Sequence, residues 1–142
     1  MTPPTPRYEV LRAGGCQSST PRVYHRDVGF PPGLEDRLKG MLRGKTLTYS
    51  QHARHAAVTD RYGVIMTPPR VVGEDWQVIE VEVRGLGVPS KGVLRAPYGG
   101  YQEQFDLVLV ILTQPTGLVK TMWLNRRGDK HYTLDKTYYS TL

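Results

Sequence analysis

From Phe105 to Thr113 the chain is apolar at almost every position, and after the turn residues Pro115-Thr-Gly117 a second strand-like run extends from Leu118 to Asn125. A continuous apolar run of strand length belongs to a central strand covered on both faces, and a short Pro/Gly turn brings the next run back antiparallel beside it. The fold must therefore build a sheet around this hairpin and cover it with other elements. Two further runs supply neighbours. Around Gln77 to Arg84, Trp76, Val78 and Glu80 alternate with Ile79, Val81 and Val83, and Lys91 to Ala96 forms a weaker run.

The cover comes from upstream. After Phe30-Pro-Pro-Gly33, the residues Leu34, Leu38, Met41 and Leu42 recur at helical spacing, and Gly44 closes this first helix. Glu35 and Asp36 in its first turn, with Lys39 and Arg43 later, complement the helix dipole. Ser50 is a good N-cap for a second helix from Gln51 to Arg61, whose apolar stripe is only Ala53, Ala56 and Ala57. Tyr62-Gly63 ends it, and Pro68-Pro69 forbids its continuation. Residues 1–29 form a Pro/Gly/Ser-rich leader, expected to be flexible and largely irregular, with Tyr8 to Leu11 its one strand-like stretch. The expectation is an α+β protein. A single domain, residues 30–142, packs two N-terminal helices on a mostly antiparallel four-stranded sheet.

At 142 residues the chain is about one domain and can bury a core without staples. Its lone cysteine, Cys16, excludes an internal disulfide. The longest apolar run, Leu107 to Leu112, is too short to span a bilayer, and the leader lacks the apolar core of a secretory signal, so a soluble cytoplasmic protein is expected. The net charge of +6 is unevenly spread: residues 30–72 carry +4 and 114–142 carry +3, whereas 73–113 carry −3. If the fold brings the two basic segments together they make one positive face, suited to RNA, DNA or an acidic protein.

Chemistry-bearing side chains gather in the same two segments. Ser50-Gln-His-Ala-Arg-His55 places His52, Arg54 and His55 at a helix start, and the run ending in Trp123-Leu-Asn-Arg-Arg-Gly-Asp-Lys-His131 gathers Arg126, Arg127, Lys130 and His131, followed by Tyr138. His52 and His55, three apart, share a helix face, while Arg54 is turned from His52 by about 200°. The His-x-x-His pair lacks the Glu of a HExxH motif, so no metal site is expected. Ser50 and Cys16 have no triad partners, and neither GxxxxGK[ST] nor GxGxxG occurs, which disfavours acyl transfer and nucleotide-dependent catalysis.

Two helices before a sheet, His52-Ala-Arg54 on the second helix and the charged cluster after the last long strand together resemble the RelE/ParE-type toxins. More widely they resemble the metal-independent endoribonuclease group of barnase, EndoU, colicin and RelE nucleases. The resemblance covers about residues 34–140 as an order of elements. It implies cleavage of intracellular RNA without a cofactor, and control by an antitoxin. Such cleavage needs a base for the 2′-hydroxyl, an acid for the leaving oxygen and cations around the phosphate; histidine suits the first two tasks. His52 and His131 are the preferred pair, with His55 beside His52, and Arg54, Arg126, Arg127, Lys130 and Tyr138 are the RNA-contacting set. The same residues also suit a solvated helix face and a soluble loop. The alternative function is a non-catalytic, phage-type inhibitor or binding protein whose basic face contacts a host protein or nucleic acid.

Overall fold

The four long apolar runs form the strands expected of them, but the sheet they build is larger than four strands. The computed structural model describes residues 21–98 and 105–128. Tyr8 to Leu11, Cys16 and everything from Asp129 onward, including Lys130, His131 and Tyr138, lie outside the described residues. The elements in chain order are β1 (Arg22–His25), α1 (Leu34–Leu42), β2 (Leu47–Tyr49), α2 (Gln51–Thr59), β3 (Gln77–Arg84), β4 (Val88–Pro97), β5 (Phe105–Leu112) and β6 (Gly117–Arg126).

They form one six-stranded sheet in the order β1-β3-β4-β5-β6-β2. β3 to β6 form an antiparallel meander, with β5 and β6 joined across the anticipated turn. The expectation of four strands is corrected at both edges. β1 adds antiparallel to β3, and β2 adds parallel to β6, which makes the sheet mixed. The helices are not the N-terminal elements either, because β1 precedes α1 and β2 separates α1 from α2. Strands of four and three residues show too little alternation to stand out in a sequence, and each is held by a partner more than fifty residues away. β1 also lies inside the segment expected to be irregular.

Both helices lie on one face. Leu34, Leu38 and Leu42 of α1 and Ala53 and Ala57 of α2 join Val78, Val81, Val83, Leu94, Leu107, Leu109, Ile111, Val119, Met122 and Leu124 in one buried cluster. Ile79, Val93 and Val108 form a second cluster, with Val110 and Trp123 packed against it. β5 therefore contributes to both, as its unbroken apolar sequence required, and Val108 is fully buried. Simple alternation would place Val78 and Val81 on opposite faces. A register shift between Val78 and Glu80 puts them on the same one, since one extra residue inverts every following side chain.

α1 reaches the sheet through a glycine. A Cβ on Gly92 of β4 would lie 2.6 Å from Leu38 Cδ2, and Leu38 has no solvent exposure to move into. The helix ends as its sequence indicates: Arg43 N–H still bonds the Lys39 carbonyl, and Gly44 takes the left-handed conformation at φ 77°. Gly92→Ala is expected to destabilise the fold by about 1–3 kcal/mol in urea unfolding. In a Leu38→Ala background the same change should cost almost nothing, and a full cost there would show that the close approach is not its cause.

Candidate nucleic-acid interface

Ser50 opens α2 as a cap should, its Oγ accepting the Ala53 N–H at 3.0 Å. The same hydroxyl donates to the Lys120 carbonyl at 2.8 Å, and Ser50 N–H bonds the Val119 carbonyl. At the far end Asp60 accepts the Tyr62 N–H with Oδ2 and the Leu124 N–H with Oδ1, both at 3.0 Å. α2 thus runs alongside β6 in the same direction, from Lys120 to Leu124. Ala53 and Ala57 are small enough to let it lie close.

This geometry separates residues that the sequence grouped. His52 is exposed at the start of α2, at the Lys120 end, and His55 is exposed at the middle of the helix. Arg126 is six residues further along β6, about 20 Å away at strand spacing. Arg54 turns from both histidines, as the helical repeat requires, and lines a groove between α2 and the chain from Ile65 to Pro68. His131, the expected partner of His52, lies outside the described residues, as do Lys130 and Tyr138.

Arg126 and Arg127, read as one cluster, go to different environments. Arg127 Nε donates to Asp106 Oδ1 at 3.1 Å, and its NH2 group to the Phe105 carbonyl. Asp106 holds Arg95 with its other oxygen, Oδ2, at 2.9 Å, and Arg95 also donates to the Arg126 and Arg127 carbonyls. Arg127 is therefore partly neutralised in a bridge that ties β4, β5 and the end of β6 together. Arg126 instead lies over the Tyr62 ring at 5.6 Å from its centroid, and Arg61 lies over the same ring at 4.8 Å. Tyr62 rests on Phe105, with ring centroids 4.8 Å apart.

Arg61 and Tyr62 are functional candidates with no local signature in the sequence, where Tyr62-Gly63 marks only a helix stop. The signal that points to them is one of absence. Asp60 is the only carboxylate between Lys45 and Gly73, and there is none between Asp106 and Asp129. Both oxygens of Asp60 are engaged by backbone N–H groups. Arg54, Arg61, Lys120 and Arg126 are all exposed, and among the described residues none of them forms an ion pair with a carboxylate.

Around α1 two ion pairs form instead. Arg26 meets Glu35 at 3.5 Å, and Arg43 meets Glu74 at 2.9 Å. The hydrogen bond from Arg43, reinforced by its charge, holds the Glu74 carboxyl below its usual range and raises Arg43 in turn. Among the described residues no three His, Cys, Asp or Glu side chains gather as a metal site, and no helix is long and apolar enough to cross a membrane. Comparison with known proteins finds no matching family model, curated sequence or solved structure.

Asp60→Ala leaves the Tyr62 and Leu124 N–H groups without their acceptor. It is expected to cost about 1–3 kcal/mol of stability in denaturant unfolding, with faster amide exchange at Leu124. Unchanged exchange at Leu124 would show that the side chain does not fasten α2 to β6.

Proposed function

We propose that this protein binds single-stranded RNA along the α2–β6 layer and cleaves it as a metal-independent endoribonuclease of the RelE-like kind. The observation that carries this reading is that Lys120, Arg54, Arg61 and Arg126, all on α2, β6 or the turn after α2, are exposed and, among the described residues, pair with no carboxylate, with Lys120 and Arg126 about 20 Å apart along β6. Phosphates track such cations, and the Arg61–Tyr62–Arg126 cluster offers guanidinium planes on which bases stack. His52 and His55 lie on the same helix and are the imidazoles available to the 2′-hydroxyl. His131, four residues after Arg127, is the proposed proton donor to the leaving oxygen, a role that requires the chain beyond Arg127 to return towards His52. Control by a protein partner that covers this face belongs to the same proposal.

A second reading, a non-catalytic basic binder, is favoured by one feature. His52 and His55 are both solvent-exposed, and among the described residues no carboxylate bonds either imidazole to orient it. Purified protein incubated with labelled RNA in excess EDTA separates the two. Cleavage products with 2′,3′-cyclic phosphate ends support the enzyme, and His52→Gln should then lower the rate by about 100-fold to 10,000-fold with RNA affinity retained. RNA bound but left intact selects the binder.

The track itself predicts salt dependence. Four phosphate contacts give a slope of log K against log salt of about −3 for a single strand. Replacing Arg61 and Arg126 together with Ala should reduce its magnitude by about 1.4, whereas Arg43→Ala, which breaks only the pair with Glu74, should leave it unchanged. A salt-insensitive affinity would exclude a polyanion on this face.

A further inference from the structure

The groove beside Arg54 has a volume of about 500 Å³ and is walled by Tyr49, Ile65, Met66, Pro68 and Met122. It is held open by its frame. The Tyr49 hydroxyl donates to the Pro69 carbonyl, Leu47 N–H bonds the Arg70 carbonyl at 2.8 Å, and Ile65 N–H bonds the Ala57 carbonyl at 2.8 Å. The chain from Ile65 to Arg70 is thus fastened to α2 at one end and to β2 at the other. With its hydroxyl engaged and burial holding the phenol well above its ordinary range, Tyr49 offers the groove a neutral ring rather than a charge. Met66, 72% exposed, forms the outer lip. Among the described residues Arg54 is the one charged residue of the lining, with no carboxylate beside it.

A preformed groove with apolar and aromatic walls and a single guanidinium is complementary to a ligand with a flat apolar part and an adjoining anion. Its volume admits one nucleotide. Through Arg54 it belongs to the layer whose cations, among the described residues, pair with no carboxylate, where a polynucleotide backbone would run. We infer that this groove is a nucleotide subsite that takes one unstacked base of a single-stranded RNA, with Arg54 on the adjoining phosphate. The inference rests on the RNA-binding reading above and adds to it a position at which a base, rather than the backbone, is held.

The test compares a short single-stranded oligoribonucleotide with the same oligomer carrying one abasic residue, each titrated into the full chain and into Met66→Glu at fixed salt. Met66 is exposed, so the substitution leaves the core intact while setting a carboxylate against Arg54 at the groove mouth. For the unmodified chain the abasic oligomer is expected to bind about 10-fold more weakly, in keeping with the contribution of one stacked base. In Met66→Glu that difference should vanish, with affinity for the intact oligomer falling to the abasic level. Equal binding of the two oligomers to the unmodified chain overturns the subsite and leaves the phosphate track standing. So does a difference that persists in Met66→Glu. Failure of both oligomers to bind at all overturns the RNA reading and the subsite with it.

Discussion

Among the described residues β6 has a partner strand on its outer side for only three positions, and the way α2 covers what remains governs the rest of this structure. β2 pairs with Gly117 to Val119 and stops. Beyond it the strand's backbone groups would face water, an arrangement that invites pairing with another chain. Ser50 takes the Val119 and Lys120 carbonyls, and Asp60 takes the Leu124 N–H. The two residues that begin and end α2 thus act as substitutes for a strand. Because they are fixed to β6 four residues apart, the helix has one direction and one height on the sheet, and every side chain on it is positioned by that fact.

The electrostatic character of the face follows from the same attachment. Among the described residues Asp60 is the carboxylate next to the cations of α2, and its oxygens are turned inward to backbone donors. On the opposite end of the sheet face, acids near α1 meet arginines directly. Exposed pairs of that sort contribute little to stability, but they cancel local field. Among the described residues the surface over α1 therefore mixes both signs of charge, with two ion pairs, and the surface over α2 carries cations without a paired carboxylate. That asymmetry, rather than the overall charge, supports the RNA-binding proposal.

The Arg95–Asp106–Arg127 bridge shows how a charged run can divide. In the sequence Arg126-Arg127 is one basic patch. In the fold, Arg126 joins Tyr62 on the helix side, while Asp106 draws Arg127 into a structural link with Arg95. Asp106 interrupts an otherwise apolar strand, and its register partner Asn125 sits just before the arginines on β6, so the strand pairing itself brings the acid to them. An acid in an apolar strand is thus explained by what the neighbouring strand ends in.

Local signals in the sequence carried the long elements. The continuous run in β5 required burial on both faces, the turn before Gly117 implied its antiparallel partner, Ser50 marked the start of α2, and Gly44 marked the end of α1. Each of these depends on residues within a few positions of one another, where backbone preference and periodicity act. The edge strands β1 and β2, the bulge that puts Val78 and Val81 on one face, and the groove beside Arg54 were decided only by contacts between distant parts of the chain. So was the separation of His52 from Arg126. Both lie in basic segments, but residues at the two ends of a helix laid along a strand are kept apart by the length of that strand. Composition set the amount of positive charge in this protein, and packing decided which of its cations found a counter-charge and which were left facing solvent.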